Sequence, residues 1–399
     1  MKRTILFLEQ QSWRGGAQRV LEATLEALDG AYTCVVAFPD RGLFRAGLEP
    51  GGVETIDLPI GAYSTGRKSA LEMVAFAWRS LYCGFKLARF VRRRGVGLIY
   101  INGPRCLPAG VLASWLTGLP TVFHLHLILE RRPDVLLATH LSRRVSRIVA
   151  CSRAAAAALL VRDGRLLAKT QVLYNPLRRQ SATPVAPVHP VVPRGGRVTL
   201  GMVGRITESK GHHLLLQAVS RLPSNLRDQI QLLIVGAAAP GCGSDLRYER
   251  FLKDEALRLG LAERIHWAGY QSEPGAYYAA MDVLVHPALA EAMGIAILEA
   301  LDRGVPIIGA RTGGIPELVQ EGVNGLLVSL HDQNALSEAI TTFLTDSAVR
   351  DRLRNGARQG VDRRFSMEVF SSGIRATIGE LCPPNSTSDT ALTAGVGRW

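Results

Sequence analysis

The 399-residue sequence predicts an α/β protein of two successive Rossmann-like β/α/β domains facing one central cleft. Three observations carry that class. Short apolar runs of strand length alternate with amphipathic stretches of helix length through both halves. A proline-bearing stretch without periodicity, residues 179–197, divides the chain near its middle. Within the second half, Asp282 to Gly325 reads as strand, loop, helix, strand and turn in direct succession, the repeating unit of a parallel sheet. The expected domains are residues 1–178, a linker at 179–197, and residues 198–364. A helix at 365–382 returns to the first domain, and 383–399 is a loose tail.

Residues 4–8 read as the first strand, since the apolar run of MKRTILFLEQ is too short for a secretory signal core. A loop over 10–17 follows, in which Gly15 and Gly16 let backbone approach a ligand closely. Ala17 to Leu28 is a helix with Val20, Leu21, Leu25 and Leu28 on one face. Further strands are expected at Thr33–Phe38, Val53–Leu58, Gly97–Ile101, Thr121–Leu129 and Arg147–Cys151. Ser69 to Arg94 reads as a long helix mixing Trp78, Tyr82 and Phe85 with Lys86, Arg89 and Arg92 to Arg94. That mixture fits an anionic membrane surface or a packed helix with a solvated basic end. Cys106 to Leu129 is the longest stretch free of Asp, Glu, Lys and Arg. Its prolines and glycines favour a helix, a turn and a strand, with a membrane-spanning helix as the alternative. The strand carries His124 and His126, which alternation places on one face.

In the second half, Val198 to Val203 is a strand followed by GRITESKG. Arg205 and Lys210 lie five apart on a loop opening a helix near Gly211, an arrangement suited to a diphosphate. Later, Val283 to Val285 is a strand that His286-Pro287 ends. A loop with one acid, Glu291, leads to Gly294, where a helix begins that can turn Ile295, Leu298, Ala300 and Leu301 to a sheet. First-turn amides of a helix lack intrahelical partners and attract anions. Glu291 and Glu299 flank that helix start, roughly 12 Å apart along it. Ala348 to Arg364 reads as a charged helix and Phe365 to Leu381 as the last one.

Charge is uneven. Residues 1–180 carry 26 Lys and Arg against 12 Asp and Glu, a net of +14, while residues 181–399 carry 21 against 22, a net of −1. The first half therefore suits an anionic partner. No nucleic-acid-binding motif accompanies the charge, so nucleic acid is not the expected partner. The six cysteines form no C-x-x-C pair, which points to reduced thiols and a cytoplasmic setting.

Glu291, seven residues, then Glu299, followed by the Gly-Val-Pro and Gly-Gly-Ile-Pro-Glu turns, resembles the signature of the family 4 retaining glycosyltransferases of the GT-B fold. The Gly-Arg and Lys-Gly pairs around Arg205 and Lys210 are similar to that family's donor-phosphate motif. Gly15 and Gly16 resemble its Gly-Gly-Ala-x-Arg-Val opening at the interdomain cleft. The resemblance implies a nucleotide-sugar donor, UDP- or GDP-linked, on the second domain. Arg205, Lys210, Gly294 and Ile295 would hold its phosphates, Glu291 and Met293 its hexose, and Glu299 its ribose. It implies retention of anomeric configuration and a catalytic histidine across the cleft. The family's spacing after Pro120 matches His126, with His124 a rival on the same face. No Asp-x-Asp occurs, so no metal or other cofactor is expected. The acceptor, a glycan or a lipid-linked sugar, would bind the first domain, with the enzyme peripheral on the inner face of a membrane and serving polysaccharide or lipopolysaccharide synthesis.

Two other classes are weighed against this. A non-catalytic GT-B-like nucleotide- or glycan-binding protein has no need of Glu291, Glu299, Arg205 and Lys210 together. A nicotinamide-dependent oxidoreductase lacks its G-x-G-x-x-G fingerprint here.

Overall fold

The computed structural model describes residues 2–61, 69–178 and 196–385. Most of the linker expectation and of the tail expectation lies outside the described residues.

Among the described residues, the first sheet contains β1 (Arg3–Glu9), β2 (Tyr32–Phe38), β3 (Glu54–Asp57), β4 (Val96–Asn102), β5 (Thr121–Leu125), β6 (Arg147–Ala150) and β7 (Thr170–Val172). Their spatial order is β3-β2-β1-β4-β5-β6-β7, and every pair is parallel. The second sheet contains β8 (Val198–Val203), β9 (Ile230–Val235), β10 (Ile265–Gly269), β11 (Val283–His286), β12 (Ile307–Ala310) and β13 (Gly325–Val328), ordered β10-β9-β8-β11-β12-β13 and again parallel. The inner strands of both sheets are apolar runs buried on both faces, as parallel sheets covered by helices require, while the edge strands β3 and β7 are polar and half-exposed. The expected α/β class with two Rossmann-like sheets is what the chain forms.

Each sheet changes direction once, between β1 and β4 and between β8 and β11. Such a switch point leaves a crevice beyond the strand C-termini, where the crossover helices diverge to opposite faces. Glu9 and Asn102 end β1 and β4. Arg205 follows β8, and His286 ends β11.

The last helix, Met367–Leu381, lies on the first sheet's helix Gly16–Leu28. Its Phe370, Ile374 and Ile378 are buried with Ile5, Phe7 and Val20. Arg375 Nε donates to the carbonyl of Ala27 at 2.7 Å, and Tyr32 Oη to that of Cys382 at 2.8 Å. The two chain crossings run side by side, with Leu177 N donating to Phe365 O at 2.7 Å.

Some local expectations are corrected. The strand expected over Thr121–Leu129 stops at Leu125, where Cys151 N takes the Leu125 carbonyl and the chain turns off the sheet. His126 therefore lies beyond the strand, although its ring stays on the same side as that of His124, 3.8 Å away. The charged helix runs Ser347–Arg358 and gives way to a tight turn at Arg363–Phe365. The helices Leu43–Leu48 and Arg132–Ser142 were not marked by periodicity, being short and leaving Leu43, Leu136 and Leu137 exposed rather than on one buried face.

Candidate active site

The loop between β11 and the helix Ile295–Asp302 carries Glu291. Gly313 and Gly314 hold it in place, because a side chain on either would meet the Glu291 or Ala292 carbonyl at 2.1 Å. Only bare backbone fits there, and Gly314 N donates to Glu291 O at 2.8 Å. Thr312 Oγ1 donates to Ala288 O at 2.8 Å. The Gly-Gly turn is thus a seat for the acidic loop.

Glu291 Oε2 accepts hydrogen bonds from Lys210 Nζ and from His286 Nε2, the latter at 2.9 Å. Burial raises its carboxyl, but the charge of Lys210 and the bond from His286 outweigh that and hold it well below the usual carboxylate range. A carboxylate is therefore kept ionised at the C-terminal end of β11. Lys210 reaches it because Leu289 N donates to Ser209 O at 2.9 Å, tying the two loops together. Arg205 stands 3.7 Å from Asp245 Oδ2, with its guanidinium 4.7 Å from the centroid of Trp13 in the first half. Gly294, at φ +85°, opens the helix Ile295–Asp302, and its first-turn amides lie beside Glu291. Met293 is 2% exposed, and its side chain packs in the core.

Glu299 is engaged at both oxygens. Arg19 Nη1 donates to Oε1 at 2.7 Å and Tyr278 Oη to Oε2 at 2.8 Å. Arg19 comes from the first sheet's helix Gly16–Leu28, so this ion pair spans the cleft, and its other nitrogen donates to Ser272 O at 3.2 Å. Gly16 sits against Ile295, whose Cδ1 is 3.5 Å from where a Cβ would stand, and Ile128 against Gly313. Glu317, of the Gly-Gly-Ile-Pro-Glu turn, accepts from the amides of Arg153 and Ala154 at 3.1 and 3.0 Å and from Tyr174 Oη at 2.9 Å. It thereby caps the helix Arg153–Arg162 of the facing half, where a negative charge meets the helix dipole.

On the first sheet, Glu9 and Asn102 are paired in register at the switch point and both are buried. Glu9 Oε1 accepts from the amides of Gln10 (2.8 Å) and Gln11 (3.1 Å) and from Gln18 Nε2 (3.0 Å), while Asn102 Nδ2 donates to Oε2. Burial pushes the Glu9 carboxyl up to about 7 against those donors. Asn102 Oδ1 meets His126 Nε2 at 2.7 Å. His126 is pushed down to about 3 by burial, and its Nδ1 is buried with no partner. His124 is fully buried in β5, with Nδ1 at 2.6 Å from Tyr100 Oη and its ring 3.8 Å from that of His126. Of the two histidines, His126 is the one at a strand end, on the loop that reaches Gly313.

The expected residues Gly15, Gly16, His126, Arg205, Lys210, Glu291, Gly294, Ile295 and Glu299 thus lie around the two switch points. Trp13, Arg19, His286 and Glu317 were not singled out from the sequence. Arg19 stands in the Gly-Gly-Ala-x-Arg-Val run and Glu317 in the Gly-Gly-Ile-Pro-Glu run, so both were within the motifs. A histidine closing an apolar strand five residues before Glu291 was the signal for His286. Among the described residues, no group of acids, histidines and cysteines could hold a metal ion.

Comparison with known proteins agrees with this architecture. The pattern described as a Glycosyl transferase 4-like domain matches residues 15–177, and that of Glycosyl transferases group 1 matches residues 190–360. The lipopolysaccharide core biosynthesis glycosyltransferase LpsE of Rhizobium meliloti is 31% identical over 179 residues, 45% of this chain and 48% of that protein. The D-inositol 3-phosphate glycosyltransferase of Corynebacterium urealyticum is 33% identical over 180 residues, 44% of this chain and 41% of that one. The chain thus spans about half the length of these curated relatives. The solved structure of Anabaena Alr3699/HepE in complex with UDP and glucose superposes with a TM-score of 0.78 at 27% identity, covering 94% of this chain and 99% of that one.

Proposed function

The chain belongs to the family 4-like glycosyltransferases of the GT-B fold, and on that premise we propose that it moves a hexose-type sugar from a nucleotide-diphosphate-sugar to a glycan or lipid-linked acceptor with retention of configuration. The observation that carries this reading is the ionised Glu291, paired with Lys210 and His286 beside the open helix end at Ile295. UDP in the Anabaena structure favours a UDP-sugar as donor, with GDP-sugars the comparison to run.

The donor's diphosphate would lie between Arg205, Lys210 and the amides of Gly294 and Ile295. Lys210 then exchanges a shared carboxylate for phosphate oxygens, and Arg205, held 3.7 Å from Asp245, adds a second cation. As the anomeric C–O bond breaks, negative charge grows on the leaving phosphate oxygen, where these preorganised donors stabilise it. The acceptor oxygen forms its bond on the face the diphosphate leaves, its proton passes to the departing oxygen, and the nucleoside diphosphate leaves with the bonding pair. Glu291 stabilises the oxocarbenium-like sugar electrostatically. His126 contacts that sugar from the facing half. Ribose hydroxyls would compete with Arg19 for Glu299. Cations and helix amides suffice for the phosphates in this scheme, so the reaction proceeds without a metal.

The acceptor side is read as a membrane surface. The helix Ala70–Arg94 buries Cys83, Gly84, Leu87 and Val91 against the helix Leu107–Thr117. Its other face leaves Leu71, Trp78, Tyr82 and Phe85 between 59% and 78% exposed, and Trp115 of the neighbouring helix is 68% exposed. Arg92 to Arg94 close the helix. Aromatics flanked by a basic cluster match the interface of an anionic bilayer. No helix among the described residues is long and apolar enough to cross a membrane. Together with the relative named for lipopolysaccharide core synthesis, this favours a peripheral enzyme of surface-glycan assembly.

The test is nucleotide release. UDP-sugars and GDP-sugars, each with a membrane extract as acceptor source, should give release with one donor class, unaffected by EDTA. Silence with every donor removes the enzyme reading. Flotation with anionic vesicles should carry the protein upward, and Trp78→Glu with Phe85→Glu should leave it at the bottom. Equal flotation of both proteins removes the membrane face.

A further inference from the structure

Glu9 is a buried acid that the transfer scheme leaves without a role. It is joined to His126 by one residue, and the chemistry of that link is directional. An ionised carboxylate only accepts hydrogen bonds. Asn102 must therefore turn its Nδ2 to Glu9 and its Oδ1 to His126. A carbonyl oxygen also only accepts, so His126 Nε2 must carry the proton at that 2.7 Å contact. In the neutral ring, Nδ1 is then left as an acceptor. That atom is buried without a partner, a cost that a bound hydroxyl would relieve.

We propose that Glu9 and Asn102 are positioning residues that set His126 in its Nε2–H tautomer, so that Nδ1 accepts a hydrogen bond from a hydroxyl of the sugar in the cleft. This rests on the glycosyltransferase reading for the identity of the hydroxyl, and for the tautomer on the bond geometry with Glu9 ionised. The three donors on Oε1 and the one on Oε2 give the carboxylate two unlike sides. A glutamine in its place would keep its oxygen toward the three donors and turn an NH2 to Asn102. Asn102 would then flip, offer Nδ2 to His126 Nε2, and drive the proton to Nδ1. The isosteric change Glu9→Gln is therefore predicted to invert the tautomer two residues along the chain of bonds.

The measurement is 15N NMR of histidine-labelled protein at pH 8, above the value of about 7 for Glu9. The signals of His126 are identified by their loss in His126→Gln. The wild type should show a protonated Nε2 and a bare Nδ1, and Glu9→Gln the reverse. In the same variant kcat should fall roughly 10- to 100-fold while the donor KM changes far less. Asn102→Ala is the second variant: it should leave His126 as a mixture of tautomers and lower kcat in the same way. An Nδ1–H tautomer in the wild type, an unchanged tautomer in folded Glu9→Gln, or an inverted tautomer with undiminished kcat each overturns the proposal. The NMR arm needs no substrate, so it decides the positioning even where no donor is turned over.

Discussion

The two switch points of this protein are built on opposite principles. Beyond β8 and β11 the groups are charged: Arg205, Lys210 and Glu291, with His286 beneath them. Beyond β1 and β4 they form a buried hydrogen-bonded chain, Glu9–Asn102–His126, in which Glu9 is the one acid. On the proposed reading, the difference follows from what each side would hold. A diphosphate leaving group needs fixed positive charge and helix amides. A sugar hydroxyl needs one acceptor at one position, and a buried network with its donors satisfied supplies it more rigidly than an exposed charge does. The halves then meet through ion pairs and caps, Arg19 with Glu299 and Glu317 on the helix at Arg153.

Substitutions on the two sides should separate them. Glu291→Gln removes the ionised carboxylate and should lower kcat on the order of 100-fold or more, with circular dichroism unchanged. Near-normal rates would detach Glu291 from the chemistry. Lys210→Ala comes next: it should weaken donor binding and slow turnover by about tenfold or more, because Glu291 then stays buried with His286 alone. Kinetics with saturating donor check this, and a fall in neither kcat nor donor affinity would count against the phosphate role.

Arg19→Ala should have a smaller effect and a revealing sign. It removes a competitor for Glu299, so the apparent donor Kd should drop several-fold. Thermal stability should also drop, by about 1–3 kcal/mol, as Glu299 loses a charged partner. Calorimetric titration with UDP reads the first part. Weaker UDP binding would show that Arg19 helps the ribose rather than competing with it.

The smallest effect is in pH dependence. His126 and His212 are both held down to about 3, chiefly by burial, and His124 is held well below its ordinary value by burial and by His126. Below about pH 6.5 the unfolded chain takes up protons that the folded one refuses. The stability these groups contribute is thus present above 6.5 and lost as pH falls toward 3. Glu9 acts in the opposite sense, since its raised value gives stability that is lost as pH rises through about 7. His213 is also held down by burial, and four histidines against one acid leave a net loss on acidification. Scanning calorimetry between pH 7 and pH 5 should show Tm falling; a flat or rising Tm contradicts the buried neutral histidines.

The same contrast explains what the sequence disclosed. The charged switch point was legible because its residues are of conspicuous type at fixed spacing: Arg205 with Lys210, Glu291 with Glu299. The strand β8 was legible to the residue as an apolar run bounded by polar or glycine positions. The Glu9–Asn102–His126 chain was not, because its members lie far apart along the sequence and meet only when β1, β4 and β5 line up. His286 looked like the polar end of a strand. The engagement of Glu299 by Arg19 needed both halves in place, and no local pattern encodes it. The overlong strand at Thr121–Leu129 came from an apolar run that continues past the last ladder bond, where the loop packs Leu129 into the core.

The most direct test of the central claim is release of UDP from UDP-hexose donors by the wild type, Glu291→Gln and Lys210→Ala, each with membrane extract. The account predicts turnover by the wild type with at least one donor, and a loss on the order of 100-fold in Glu291→Gln despite retained fold. Equal release by all three proteins, or none by the wild type with any donor, would contradict it.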